Sequence, residues 1–198
     1  LEATEEMAAA LRRSAYSTNI KTRCDFSCCF FDRDIRPIAQ SFSQPNHLGS
    51  MVGTVRQAVL EYGVENLGPG DHLVTNYPYP GGAHLNDIVV IAPFHYQGEV
   101  YGYLANLAHH VDVGGGAPAS VGAFREVYQE GVIIPPVKLV RAGKIVDDVF
   151  RLVIAQIRSK RETAGDFRAQ FAANNTGVRR LTALLERYGP ETVSFYMD

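Results

Sequence analysis

The sequence predicts an α+β fold: a mixed, mostly antiparallel sheet built around a central hairpin and packed by helices. Three observations predict it. Two apolar runs, 87–94 and 99–107, flank Tyr96-Gln97-Gly98 and read as a β-hairpin. Stretches at 2–17, 50–62, 146–158 and 164–188 have helical character, and apolar residues recur there at helical spacing. No internal repeat, low-complexity tract or linker divides the 198 residues, so residues 1–198 read as one domain.

Each segment follows from its residues. Residues 2–17 place Met7 and Leu11, with Ala8 and Ala15, on one apolar side. Residues 24–31, rich in Phe and Cys, read as a buried strand, and Asp32-Arg33-Asp34 turns the chain back through residues 35–39. Pro45 opens a loop to Gly49. Ser50 is then the cap of a helix over 50–62, with Gly63 as its stop. Gly68-Pro69-Gly70-Asp71 is a turn before the short strand His72–Thr75. Two prolines and two glycines in Asn76-Tyr77-Pro78-Tyr79-Pro80-Gly81-Gly82 exclude regular structure and demand a shaped loop. Residues 113–122 form a glycine-rich loop. Residues 132–140 read as a strand that Pro135-Pro136 bends or places at an edge. Val149, Leu152, Val153, Gln156 and Ile157 mark the helix at 146–158. The helix at 164–188 has a basic end (Arg179, Arg180, Arg187) and stops at Gly189-Pro190.

Composition narrows the function. A hydrophobic content of 46% with 20% charged residues is that of a soluble globular protein. A net charge of −2 leaves no electrostatic footprint for nucleic acid or an anionic membrane. No apolar run approaches the roughly 18–20 residues of a bilayer span. The opening Leu1-Glu2-Ala3-Thr4-Glu5-Glu6 is not a signal peptide, and without an initiator Met the chain is expected to begin inside its gene product. Cys24, Cys28 and Cys29, odd in number and close together, make a poor disulfide framework; buried thiols in a reducing cytoplasm are expected.

Two clusters of metal-ligand residues dominate the chain. One is Gly81-Gly82-Ala83-His84-Leu85-Asn86-Asp87; the other is Asn106-Leu107-Ala108-His109-His110-Val111-Asp112-Val113-Gly114-Gly115-Gly116. Imidazole and carboxylate together suit zinc, manganese or iron. His84 and Asp87 stand where one hairpin strand begins and His109 where its neighbour ends, and antiparallel pairing makes those two ends adjacent. Singly, each residue has a plainer reading. A histidine at a strand end is commonly a hydrogen-bonding residue, Asp87 can cap a turn, and Asp112-Val113-Gly114 can be a tight turn. The convergence of both clusters on one hairpin makes a metal site a stronger reading than any of these residues supports alone, beside the plainer ones.

Other constellations are weaker. Gly114-Gly115-Gly116 lacks the flanking pattern of a phosphate loop. Cys28 with His109 is a conceivable nucleophilic pair, although nothing activates the thiol. Tyr77, Tyr79 and Tyr128 are candidates to line a pocket. Glu126 and Glu130, four apart, suit either acid–base work or a solvated helical face.

The chain resembles the hydantoinase B/oxoprolinase family, which includes subunits of acetone and acetophenone carboxylases. The blocks that carry the resemblance are Asp25-Phe26-Ser27-Cys28, His47-Leu48-Gly49-Ser50-Met51, residues 81–87, residues 108–115, Tyr128-Gln129-Glu130-Gly131, Ile134-Pro135-Pro136-Val137-Lys138 and Gly165-Asp166-Phe167-Arg168-Ala169-Gln170, in family order over nearly the whole chain. Two departures stand out. Asn76-Tyr77-Pro78-Tyr79 replaces the family's Asn-Asp-Pro-Tyr, and Ala83-His84-Leu85-Asn86-Asp87 replaces Thr-His-Leu-Pro-Asp.

The resemblance implies a divalent metal (Zn, Mn or Fe) on His84, Asp87 and His109, with Asp25 at or beside it. It places His110 and Asp112 around those ligands and makes Asp25 or Asp112 the proton acceptor. It implies a hetero-oligomer in which a hydantoinase A-like partner, not this chain, binds ATP and Mg and phosphorylates the substrate, a cyclic amide or a ketone. The activity implied is ATP-dependent opening of a hydantoin or a 5-oxoproline-like lactam. The alternatives are ketone carboxylation and an assembly-only domain without catalysis. Family members are much longer, so the chain is expected to be the N-terminal part of a larger subunit.

Overall fold

The computed structural model describes residues 1–41, 44–82 and 84–197. The chain begins with α1 (Glu2–Ser14) and a single turn, α2 (Thr18–Lys21). A hairpin, β1 (Phe26–Asp32) and β2 (Pro37–Gln40), precedes α3 (Pro45–Tyr62). Then come β3 (His72–Thr75) and the long hairpin of β4 (Asp87–Tyr96) and β5 (Glu99–His109). The chain closes with β6 (Val137–Arg141), β7 (Lys144–Ile145), α4 (Asp147–Ala155), α5 (Lys160–Tyr188) and α6 (Pro190–Phe195). The strands form one sheet in the order β2-β1-β5-β4-β3-β6-β7, every neighbouring pair antiparallel. Among the described residues no helix is long and apolar enough to cross a membrane. The expected α+β architecture with a central hairpin is the one observed.

The hairpin turns at Gln97 (φ 52°) and Gly98 (φ 88°), two consecutive positive-φ residues of the kind that match the strand twist. From that turn the register runs without a slip from Phe94↔Gly102 to Asp87↔His109. Successive side chains alternate faces, so the sheet sorts its residues by parity. Cys29, Phe31, Val89, Ile91, Ala105 and Leu107 pack with Met51, Val55 and Val59 of α3. Cys28, Phe30, Leu104 and Ala108 pack on the other face with Met7 and Leu11 of α1 and Ala169 and Ala173 of α5. The two adjacent cysteines thus enter different cores. Burial pushes the Cys29 thiol up to about 12 and the Cys28 thiol higher still, so both stay protonated, as expected of buried thiols.

Glycines set the α1–α5 distance. A Cβ on Gly177 would stand 2.6 Å from Met7 Sδ of α1, and one on Gly165 would run into the ring of Tyr16, just beyond the end of that helix. Small residues there let the helices approach closely. A row of amides ties α5 to the sheet. Asn106 Nδ2 donates to Gln170 O and Asn174 Oδ1, Gln170 Nε2 donates to Ile88 O, and Asn174 Nδ2 donates to Val90 O.

Four sequence expectations need correction. Pro45 begins α3 instead of opening a loop, because a first-turn proline lacks only an N–H that the helix leaves unpaired. Ser50 is therefore inside the helix, its hydroxyl bonded to His47 O. The first helix ends at Ser14, since the Asp166 carboxylate of α5 accepts the N–H groups of Tyr16 and Ser17. The strand expected at 132–140 starts only at Val137. Before it, Thr75 and Asn76 take up the main chain of Val132 and Ile134 through side-chain hydrogen bonds.

His72 on β3 is 1% exposed, its ring 5.2 Å from that of Phe171. Burial pushes its pKa down to about 4 from 6.5. A depressed histidine leaves the folded state short of a proton that the unfolded chain binds, so stability falls as pH drops from 6.5 towards 4. The loss is about 2 kcal/mol at pH 5 and roughly 3 kcal/mol in full. His72→Leu is expected to remove this loss, which urea unfolding at neutral pH and at pH 5 would reveal as a gap that widens in acid. An equal gap at both pH values would contradict it.

Candidate metal centre

The site forms at the end of three neighbouring strands. Asp87 opens β4, His109 closes β5 directly opposite it, and Asp25 stands just before β1 on the other side of β5. The His109 N–H donates to Asp25 O at 3.0 Å, which continues the ladder to that residue. Parity places all three on the α3 face, in line with Leu107, Val89 and Cys29.

His84 reaches the cluster through a tight turn. Its N–H donates to Asp87 Oδ2 at 3.1 Å, and the Asp87 N–H donates to His84 O at 3.1 Å. The loop before it is wedged against α3. A Cβ on Gly53 would meet Pro80 O at 2.2 Å, one on Gly81 (φ 151°) would meet Ser50 O at 2.8 Å, and one on Gly82 would meet Pro78 Cα at 2.7 Å. Only glycine permits this approach of loop to helix. Asn76 holds the other side, donating to Leu85 O and Val132 O at 2.8 Å each. Ala83, within the first ligand cluster, lies outside the described residues.

Asp87 is the centre. Its side chain is 1% exposed and carries an imidazole on each oxygen: His109 Nδ1 at 2.6 Å from Oδ1 and His84 Nδ1 at 3.2 Å from Oδ2. The two rings stand edge to face, 5.4 Å apart. One ligand atom from each of His84, Asp87 and His109 fits within 4.8 Å of the others. Two imidazoles and one carboxylate at that spacing suit a divalent ion and leave positions open. Burial raises the Asp87 pKa, but the hydrogen bond and charge of His109 and the nearby His47 and His84 outweigh it, and the net shift is downward. Burial likewise opposes charge on His109, yet Asp87 and Asp25 raise its pKa overall. The carboxylate is therefore ionised and ready as a donor.

His47, which sequence reasoning did not single out, joins the cluster. It sits on the first turn of α3, 3% exposed, with Nε2 3.5 Å from Asp25 Oδ1 and 3.9 Å from Asp87 Oδ1. Its block, residues 47–51, carries part of the family resemblance, but the loop expected over 45–49 gives the ring no fixed place, whereas α3 does.

The structure does not bring His110 and Asp112 into this cluster. The His110 ring turns to the α5 face, with Nε2 2.9 Å from Gln170 Oε1 and the ring 4.9 Å from that of Phe167. Its main chain pairs reciprocally with Asn86. The Asp112 carboxylate accepts the Arg158 N–H at 2.8 Å and its guanidinium at 3.1 Å, and the same guanidinium holds Gly115 O and Ala117 O. Asp112 thus anchors the glycine-rich loop. Cys28 faces the α1–α5 side, opposite His109, which removes the nucleophilic pair. Glu126 caps a single turn with Gln129 and, like Tyr128, is solvent-exposed, so no helical face joins Glu126 to Glu130. Tyr77 and Tyr79 pack edge to face at 5.3 Å beside the ligand loop.

The hydantoinase B/oxoprolinase family model matches residues 1–198. The chain is 45% identical over 193 residues to an uncharacterized protein of Methanocaldococcus jannaschii, covering 96% of this chain and 34% of that one. It is 38% identical over 206 residues to 5-oxoprolinase 1 of Arabidopsis thaliana, covering 98% and 16%. The crystal structure of the ATP-dependent caprolactamase from Pseudomonas jessenii superposes with a TM-score of 0.92 at 32% identity, covering 99% of this chain and 34% of that one. The chain thus spans 34% or less of the length of these relatives.

The loop–helix wedge is testable. Gly53→Ala would gain about 1 kcal/mol in helix propensity, while the collision with Pro80 O costs roughly 1–3 kcal/mol. The expected outcome is a lowered melting temperature together with weaker binding of a divalent ion in calorimetric titration. A variant that melts higher and binds equally well would show that the loop yields freely.

Proposed function

The chain belongs to the hydantoinase B/oxoprolinase family, and from that premise we propose that it carries the metal site of an ATP-dependent amidohydrolase that opens hydantoin or 5-oxoproline-like rings. The observation that carries the reading is the buried Asp87 carboxylate shared by His84 and His109. Relatives named 5-oxoprolinase and caprolactamase support a cyclic amide as the substrate class. On this reading a hydantoinase A-like subunit handles ATP and Mg, in a hetero-oligomer. No phosphate-loop pattern occurs in this sequence, in keeping with that division of labour. Three free cysteines suit a reducing cytoplasm.

His84, Asp87 and His109 would hold the ion, with Asp25 completing the set. A zinc, manganese or iron ion held there supplies Lewis-acid activation of water and of a substrate oxygen. The remaining roles belong to the protein. Asp87, ionised and buried, fixes both imidazoles. His84, 64% exposed, marks the side from which a substrate enters. Asp25, 21% exposed and beside the cluster, is the carboxylate placed to accept a proton from an attacking water. Asp112, committed to Arg158, leaves that task to Asp25.

The test is elemental analysis of the purified chain beside a His84→Ala/His109→Ala double variant. The expectation is about one zinc, manganese or iron per chain, lost in the variant, for a three-ligand site of this type. In the complex reconstituted with its ATP-binding partner, His109→Ala is expected to abolish lactam or hydantoin turnover while ATP binding survives. Metal content equal in both proteins, or unchanged turnover, would overturn the proposal, and a metal-free wild type would favour an assembly role.

A further inference from the structure

His47 has no assigned part in the ligand set, yet its surroundings specify one. The ring is 3% exposed. Nε2 faces Asp25 Oδ1 at 3.5 Å and Asp87 Oδ1 at 3.9 Å, while Nδ1 is buried with no hydrogen-bond partner. These contacts select a tautomer. With the proton on Nδ1, a buried N–H would be orphaned and the Nε2 lone pair would face two carboxylates. With the proton on Nε2, the N–H faces both carboxylates and only a lone pair goes unpaired. A buried N–H without an acceptor forfeits a full hydrogen bond and is rare in folded proteins, so the second arrangement prevails.

Position adds to this. Asp25 and Asp87 flank His109 on strands two apart, so their backbones are separated by about 9–10 Å. Neither carboxylate is fixed to the other by the sheet. The first turn of α3 lies across that gap and is held there by packing of Met51 and Val55 on the sheet. A donor carried on this turn reaches both acids at once. The 3.5 Å to Asp25 is at the outer limit of a hydrogen bond, and the 3.9 Å to Asp87 is an electrostatic contact with an oxygen that also accepts from His109.

We propose that His47 is a positioning residue of the metal site: an Nε2–H imidazole that donates to Asp25, faces Asp87 and sets the orientation in which the Asp25 carboxylate meets an ion beside Asp87. The role rests on the metal reading of this cluster given above. It assigns a purpose to the start of α3 and gives the site a second layer that neither strand supplies.

Two measurements test it on the 198-residue chain. Long-range proton–nitrogen NMR at mildly alkaline pH is expected to show His47 protonated on Nε2, and an Nδ1-protonated ring would overturn the proposal. Calorimetric titration with Mn2+ is expected to show affinity lowered 10–100-fold in His47→Leu, the range for losing a partner that orients a ligand. His47→Gln, which presents an amide N–H near the Nε2 position, is expected to recover most of the affinity. Binding by His47→Leu within threefold of the wild type, or no recovery in His47→Gln, would overturn the role. A His84→Ala control separates the two levels. Mn2+ binding lost in His84→Ala but kept in His47→Leu defeats the His47 role alone. No binding by the wild type, or equal binding by wild type and His84→Ala, defeats the metal site and this role together.

Discussion

The pairing of Asp87 with His109 across β4 and β5 is the contact on which the rest of the structure turns. Both residues lie at the far end of a hairpin that turns at Gln97 and Gly98 and keeps one register from Phe94↔Gly102 to Asp87↔His109. Side chains alternate with a period of two, so a slip of one residue would send every ligand to the opposite face and every apolar partner with it. The register is held by burial on both faces: Val89, Ile91, Ala105 and Leu107 against α3, and Ile88, Val90 and Ala108 against the α5 side. The core and the site are thus one specification.

That same alternation divides labour between the faces of the sheet. The α3 face ends in His84, Asp87, His109, Asp25 and His47. The α5 face ends in His110, and beneath it Gln170 and Asn174 donate to carbonyls of β4 while Asn106 of β5 donates to α5. Their donated hydrogen bonds fix the helix at one height on the strands. His109 and His110 are neighbours in sequence with different tasks, because one side chain meets a carboxylate and the other meets α5.

The ligand side of the site depends on close approach as well as charge. Gly53, Gly81 and Gly82 let the proline-rich loop lie directly on α3, so that His84 and His47 descend onto Asp87 from neighbouring supports. Around the buried carboxylate, desolvation and attraction oppose each other. The imidazoles prevail and keep Asp87 ionised. A buried charge left alone would instead be neutralised, so the histidines and the acid depend on one another.

Much of this was readable from the sequence because it is local. Two apolar runs about a glycine turn exposed the hairpin, helical spacing exposed the helical segments, Gly and Pro marked the loops, and His84, Asp87 and His109 fell at strand ends that antiparallel pairing must join. What tertiary structure decided involved contacts between residues far apart in the chain. Asp166 ends α1 from 150 residues away, and Arg158 claims Asp112 from 46 residues away. Helix α5 draws the His110 ring off the ligand face, and the start of α3 delivers His47 to carboxylates on two different strands. Periodicity reports which face a residue prefers, and the sequence by itself determined that much. Which distant group waits on that face is set by packing, and only the folded chain decided it.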